Sequence, residues 1–202
     1  DKITTELEFN YDASETYDEA KNVDQVQNVK PGARTEAPAA PKFADVAADS
    51  PFAAAIDWAV EEGITKGKTE TAFGPGDVCS VSHILAFLWR ANGKPGAEEG
   101  TADSAALGKW AVEQKLIAEG ESVSAPCTRV MAVTYLWKAA GEPAAETEIQ
   151  FTDVDKDADY APAVAWAVEK GITSGKTADT FAPTDTCTRG QIVTFLYRAA
   201  RS

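Results

Sequence analysis

The chain has 202 residues, of which 44% are hydrophobic and 25% are charged, and its formal net charge at pH 7 is −13. These are globular proportions, and no apolar run approaches the roughly 20 residues that span a bilayer, so we expect no membrane insertion. The negative charge opposes binding to nucleic acid and anionic lipid, so an anionic ligand would need local capture.

Residues 1–42 differ in pattern from the rest of the chain. A short β-strand is predicted near its start, because the apolar residues there fall on odd positions, namely Ile3, Leu7, Phe9 and Tyr11. The acidic residues 12–19 and the prolines between 31 and 41 predict a linker. We therefore expect the tail of a preceding domain of the same polypeptide and a tether. The alternative is a strand that packs onto the residues that follow.

From Phe43 onward the chain repeats itself, and Phe151 begins a second copy of the same pattern at an offset of 108 residues. A degenerate copy lies between them and carries Trp110 and the run Cys127-Thr128-Arg129. Sequence repeats of this length predict an array of similar structural units. The predicted copies span residues 43–95 (copy one), 101–143 (copy two, degenerate) and 151–202 (copy three).

Each copy carries signals for two helices. In copy three, Pro162 suits a first helical turn and Gly171 suits a helix end, and a second apolar stripe follows Cys187. One short helix cannot bury its apolar face alone, so the copies must pack together. We predict an all-α fold, a pseudo-threefold trimer of helix-loop-helix repeats around a central three-helix bundle, with the short N-terminal extension and its strand outside it.

The three cysteines, Cys79, Cys127 and Cys187, occupy the same position in the three copies. Equivalent positions in separate units favour three buried small hydrophobic side chains. A disulfide bond or a reactive thiol is the alternative.

The repeated motifs resemble those of the S-layer homology (SLH) domain family. Copy three matches it best, with Phe151-Thr-Asp153-Val154, Gly171-Ile172-Thr173, Phe181-Ala-Pro183 and Thr188-Arg189 in order. The resemblance covers about residues 43–202. It implies a non-catalytic module that anchors a secreted protein to the cell wall, or surface layer, of a Gram-positive bacterium. The implied ligand is a secondary cell-wall polysaccharide, often pyruvylated, that lies in grooves between repeats.

The start of the second helix supports an acidic ligand independently. Thr128 and Thr188 stand where a hydroxyl caps a helix, and Gln191 completes a capping box with Thr188. Arg129 and Arg189 follow at the positive end of the helix dipole. A helix N-terminus beside a guanidinium suits a carboxylate. We therefore expect both arginines to bind ligand and to be removable with little effect on unfolding. The alternative is a solvated arginine without a ligand.

Further ligand-binding residues are expected around these arginines. Gly67 and Gly175 are predicted turn positions, and Lys176 is predicted to be exposed near a groove. Trp58, Trp110 and Trp166 either pack between repeats, which we favour, or offer sugar platforms. Copy one has Val81 in place of arginine, so we expect at most two competent grooves.

Other chemistry finds little support in the sequence. Gly63 to Thr69 is one residue short of a phosphate-binding loop, and the aspartates from Asp153 to Asp159 lack the glycine and glutamate of a calcium loop. His83 is the only histidine, and the sequence places no serine or cysteine in a recognisable catalytic pair with it. We expect no catalytic residues, metal or cofactor. The alternative function is a protein–protein or self-assembly module with decayed polysaccharide grooves.

Overall fold

The computed structural model describes residues 42–98 and 102–202, so the strand and linker predicted N-terminal to copy one lie outside the described residues. Within these two ranges the chain forms six α-helices and no strand beyond three isolated bridges, which confirms the all-α prediction. The helices are α1 (Ala53–Glu61), α2 (Val81–Ala91), α3 (Asp103–Glu113), α4 (Arg129–Ala139), α5 (Ala161–Glu169) and α6 (Arg189–Ala199).

The first helix of copies one and three ends where the sequence predicts. Pro162 lies in the first turn of α5, as expected. Gly63 and Gly171 follow α1 and α5 with φ of +68° and +65°, the left-handed conformation that ends many helices. The turn is closed by a backbone bond from Ile172 N–H to the Ala167 carbonyl at 2.8 Å.

The helices of different copies pack against each other in a cyclic order. Helix α1 packs on α6, α3 packs on α2 and α5 packs on α4, while α4 also contacts α2 and α6. The first helix of each copy therefore lies on the second helix of the copy before it, and copy three precedes copy one. This order agrees with three repeats around a centre, and the pseudo-threefold trimer itself stays a prediction.

The three cysteines meet at the starts of α2, α4 and α6. Their backbones form a closed ring of hydrogen bonds, Cys79 N–H to Cys187 O at 2.9 Å, Cys127 N–H to Cys79 O at 2.7 Å and Cys187 N–H to Cys127 O at 2.8 Å. All three side chains are fully buried, which confirms the prediction of buried small side chains. Burial raises the pKa of Cys79 to about 12, so the neutral thiol is the stable form.

We expect all three thiols to be inert in the folded protein, because each is fully buried. An aromatic disulfide reagent should modify none of them in native buffer and three per chain in denaturant, at a rate set by unfolding. A thiol that reacts in native buffer at the rate of a free cysteine would contradict this burial.

We expect Lys115→Gly to stabilise the protein. Lys115 ends α3 with φ of +56°, where copies one and three have glycine. The left-handed conformation costs a residue with a side chain about 1–2 kcal/mol, and the greater freedom of glycine in the unfolded chain offsets part of the gain. Urea denaturation should show a free energy of unfolding about 0.5–1 kcal/mol higher.

Lys109→Gly is the matched control, because Lys109 is exposed in the interior of α3. Glycine there should cost about 1 kcal/mol. Equal losses in the two variants would show that the conformation of Lys115 costs nothing.

Candidate functional site

The second helix of each copy begins against a loop of another copy. At the start of α6, the N–H groups of Arg189 and Gly190 donate to the carbonyls of Asp77 (2.8 Å) and Pro75 (2.9 Å). The start of α4 repeats this arrangement with copy three: Arg129 N–H to Asp185 O at 2.8 Å and Val130 N–H to Pro183 O at 3.1 Å. These amides are occupied within the protein, so the expectation that they receive a ligand carboxylate is wrong.

The threonines act as helix caps, as predicted. Thr128 Oγ1 accepts from the Met131 N–H at 3.4 Å. Thr188 Oγ1 accepts from the Gln191 N–H at 3.3 Å, and the Gln191 side chain accepts from the Thr188 N–H at 3.0 Å. The capping box predicted from this spacing is confirmed. A contact of either threonine with ligand stays a prediction.

Arg189 crosses from α6 into copy one. Its Nε donates to the Phe73 carbonyl at 3.1 Å, and its Nη2 donates to the Lys66 carbonyl at 2.9 Å and to Thr65 Oγ1 at 3.3 Å. The guanidinium lies over the rings of Phe73 and Phe87, 4.6 and 5.5 Å from their centroids. We call this contact between the start of α6 and residues 64–77 the Arg189 junction.

Arg129 crosses from α4 into copy three in the same way. Its Nε donates to the Phe181 carbonyl at 2.8 Å and its Nη2 to Thr173 Oγ1 at 3.4 Å. The guanidinium lies 5.0 and 5.6 Å from the ring centroids of Phe181 and Phe195. We call this contact between the start of α4 and residues 172–185 the Arg129 junction.

The burial of both arginines shows that the alternative of a solvated side chain is wrong. Arg129 is 1% exposed and Arg189 is 7% exposed. A guanidinium buried among carbonyls and rings is part of the core, and its removal leaves acceptors without a donor. We therefore expect removal of either arginine to affect unfolding, contrary to the expectation from the sequence.

The aspartates of the repeated F-x-D-V motif hold the loops that the arginines contact. Asp45 accepts from the N–H groups of Phe73 (2.8 Å) and Gly74 (2.7 Å). Asp153 does the same in copy three, with Phe181 N–H at 2.8 Å and Ala182 N–H at 2.7 Å. The sequence alone did not predict this role for Asp153. The sequence does carry a signal for this role, because the F-x-D-V and F-x-P motifs occur together in copies one and three.

The glycines of the G-K-T loops are required by packing. A Cβ on Gly175, whose φ is +91°, would lie 2.5 Å from the Phe151 ring, and a Cβ on Gly67 would overlap the Phe43 ring. Each glycine lies just before a bend of the chain and not within a turn, so the predicted turn positions are not confirmed, and their contact with ligand stays a prediction. The neighbouring Lys176 forms an ion pair with Asp185, so this loop is tied to the one that caps α4.

The tryptophans lie in the core or at its edge. Trp110 and Trp166 are 7% and 5% exposed, which leaves no open ring face and makes the sugar-platform alternative wrong for both. Trp58 is half-buried, and its ring makes an edge contact with Tyr197 of α6 at 5.5 Å between centroids. Packing between repeats is therefore confirmed for Trp58, and Trp110 and Trp166 are confirmed as buried side chains.

The start of α2 meets copy two without an arginine. The N–H groups of Val81 and Ser82 donate to the carbonyls of Ala125 and Val123, both at 2.9 Å. His83 completes the cap, because its Nδ1 accepts from the Ser80 N–H at 3.1 Å. Burial, with smaller contributions from Arg189 and Arg90, lowers the pKa of His83 to about 4. The imidazole is therefore neutral near pH 7.

Two segments of this all-α repeat protein match a known domain family. The model of the S-layer homology domain matches residues 42–80 and 150–193, which lie in copies one and three. The middle segment folds as the helix pair α3 and α4, but no family match covers it, so its status as a third repeat stays a prediction. A search of curated proteins found no match. SLH domains are generally cell-wall anchoring modules and imply association with the cell surface or wall.

No helix among the described residues has the length and apolar character needed to cross a membrane.

We expect Arg129→Ala to lower the free energy of unfolding by about 2–4 kcal/mol, because it leaves the buried Phe181 carbonyl without this donor and opens a cavity beside two rings. Arg201→Ala, at an exposed arginine that stacks on Tyr197, should change it by less than about 0.5 kcal/mol. Equal urea midpoints for the two variants would contradict a structural role for Arg129.

We expect His83 to make stability fall in mild acid. Its pKa in the folded protein, about 4, lies below the ordinary 6.5, so the unfolded chain binds the proton first. The free energy of unfolding should therefore drop between about pH 6.5 and 4, by on the order of 1–2 kcal/mol from this residue. The variant His83→Gln should lose this part of the pH dependence, because glutamine does not titrate; it is also the residue at the equivalent position of α6, Gln191. The same slope of unfolding free energy against pH in the variant and the wild type would contradict the role of His83.

Proposed function

We propose that this chain anchors an exported protein to the bacterial cell wall by binding an acidic secondary cell-wall polysaccharide at the junctions between repeats. The single observation that carries the proposal is the pair of equivalent arginine junctions, each joining two copies. It is supported by the match of copies one and three to SLH domains, which are generally wall-anchoring modules.

The two junctions present loops of similar construction to solvent. Lys66 and Ser174 are exposed and lie beside residues that the arginines contact, Thr65 and Thr173, which are buried. A rigid loop loses little conformational freedom when a ligand binds, so the fixed backbone favours affinity. Exposed groups on these loops are thus the proposed contacts with the polymer.

In this proposal the predicted site residues have two kinds of role. Arg129 and Arg189 are positioning residues, because they hold the loops from the buried side, and Thr128 and Thr188 fix the helices that carry them. Gly67 and Gly175 permit the close approach of the Phe43 and Phe151 rings. Lys176 is half-buried beside Asp185, and the remaining N–H donors of its ammonium can bond to a sugar.

The first test is co-sedimentation of the chain with purified Gram-positive cell-wall sacculi, before and after acid removal of the secondary polysaccharide. We expect binding before removal, loss of binding after it, and competition by the released polysaccharide. Equal binding to both preparations would place the ligand in the peptidoglycan and overturn the proposal. Concentration-dependent oligomers with no binding to either preparation would favour the self-assembly alternative.

A variant pair tests the location. Ser174→Glu places a negative charge at the exposed surface of the Arg129 junction and should weaken sacculus binding about fivefold, the effect of roughly 1 kcal/mol of repulsion. The matched control is Ala118→Glu. Ala118 is the equivalent exposed residue of copy two. It comes two residues after Leu116, whose N–H donates to the Ala111 carbonyl at 2.9 Å and closes the turn at the end of α3. Equal weakening by both would mean a general charge effect.

A further inference from the structure

The contact between the start of α2 and residues 121–126 of copy two differs in construction from the two arginine junctions. We call it the His83 junction. Its backbone bonds match theirs, since the N–H groups of Val81 and Ser82 donate to carbonyls of copy two at 2.9 Å. At the Arg189 junction a buried guanidinium adds bonds to the carbonyls of two loop residues. Val81, at the position of that arginine, has no side-chain donor, so the His83 junction lacks these additional bonds.

The segment of copy two that receives α2 also lacks the aromatic anchor of the other copies. Phe73 and Phe181 lie six residues before the cysteines of copies one and three, and both are fully buried. Glu121 occupies this position in copy two and is exposed. Its carboxylate accepts from the Ala118 N–H at 2.8 Å, so it closes a local turn. A buried ring stabilises a loop by removing apolar surface from water, so residues 121–126 are held less firmly than their counterparts.

His83 holds the first turn of α2 at this junction. Its side chain is buried, and its Nδ1 accepts from the Ser80 N–H at 3.1 Å. Ser80 also forms a backbone bridge with Pro126 of copy two, so the cap and the contact with copy two meet at one residue. The equivalent residues of α4 and α6, Met131 and Gln191, do not titrate. The His83 junction therefore differs from the other two in having a titratable cap.

A proton on His83 breaks this cap. An imidazolium carries hydrogen on both ring nitrogens and cannot accept from the Ser80 N–H. Its charge also lies at the positive end of the α2 dipole, where a cation is unfavourable. Burial, together with Arg189 of α6 and Arg90 of α2, lowers the pKa of His83 to about 4. The closed junction therefore excludes the proton.

Two thiols and a phenol on the elements that contact α2 stay neutral in acid. Burial raises the pKa of Cys79 to about 12, and it also raises the pKa of Cys127 and that of Tyr135 on α4. Groups whose pKa values are raised hold their protons throughout the acid range. None of them changes charge together with His83.

The carboxylates of this region have partners of their own. Asp77 forms an ion pair with Lys68 at 2.6 Å, and Glu121 is bonded to a backbone amide of its own loop. Asp103 of α3 acts on Arg90, whose pKa is lowered by burial and raised in part by this carboxylate. The change of charge at the cap itself therefore belongs to His83.

We propose that the His83 junction is an acid-sensitive contact that opens when His83 takes up a proton, while both arginine junctions stay closed. In the open form the imidazole enters water and regains its ordinary pKa of about 6.5. Because the pKa of the closed form is lowered to about 4, the closed junction is fully favoured above pH 6.5 and loses stability as the pH falls from 6.5 to 4. The proposal does not depend on the proposed function, because copy two can separate from α2 with or without a ligand.

The test is native-state hydrogen exchange of the whole chain, followed by NMR at single amides at about pH 7 and about pH 4.5. The probes are equivalent amides, Val81 and Ser82 at the His83 junction and Arg189 and Gly190 at the Arg189 junction. After correction for the chemical exchange rate, protection of the first pair should fall by about 10- to 100-fold between the two pH values. At the lower pH it should lie about tenfold or more below that of the second pair. Low urea should barely accelerate exchange of the first pair, since a local opening exposes little surface.

The matched variant is His83→Gln, because Gln191 of α6 accepts from the Thr188 N–H at 3.0 Å at the equivalent position. The variant should keep the cap but not titrate. Protection at Val81 and Ser82 should therefore change less than about threefold between the two pH values.

Two results would overturn the proposal. Equal protection and equal urea dependence at all of these amides in acid would show that the proton acts on the whole fold and not on one junction. The same loss of protection in His83→Gln as in the wild type would show that His83 does not control the opening. If the variant does not fold, the wild type still decides, because its two junctions are compared within one chain.

Discussion

The buried guanidinium that crosses from one copy to the next is the interaction on which the rest of this structure depends. Arg189 joins the start of α6 to two loops of copy one, through the Phe73 and Lys66 carbonyls. A buried charge is costly unless its donors are satisfied, so the loops must present carbonyls at fixed positions. Arginine suits this task because its planar donors reach two separate loops at once and its face packs on aromatic rings.

The other repeated residues serve the loops that receive the arginine. Asp45 and Asp153 fix the F-x-P turns by accepting two amides each, and Gly175 lets the Phe151 ring lie against the neighbouring turn. The bonded backbones of the three cysteines then bring the second helices together at their starts. Each copy thus completes its core only with a side chain or carbonyl from another copy, as expected of units that cannot fold alone.

This mutual dependence has a consequence for function. Because the arginines are buried where the copies join, the solvent-facing part of each junction consists of the exposed loop residues beside them. Lys66, Ala118 and Ser174 occupy one equivalent position and differ in charge and polarity. A common buried frame therefore carries a different exposed side chain at each of these three positions.

Most of the architecture could be read from the chain. The offset between Phe43 and Phe151, Pro162 within a first turn and Gly171 after a helix were enough to predict the all-α helix pairs, and the confirmed capping box at Thr188 followed from spacing alone. These features are local, since each depends on residues a few positions apart, and local conformational preferences are written directly into the sequence.

The roles of the arginines and of the F-x-D-V aspartates were decided by tertiary structure. Arg189 bonds to residues more than one hundred positions away, and Asp45 bonds to amides 28 and 29 residues along the chain. A helix-start arginine looks solvated in sequence because nothing local covers it, and only the cyclic packing of copies brings the covering loop. The chain by itself determined its helices and its repeats. Long-range packing decided which charged side chains became core and which stayed at the surface.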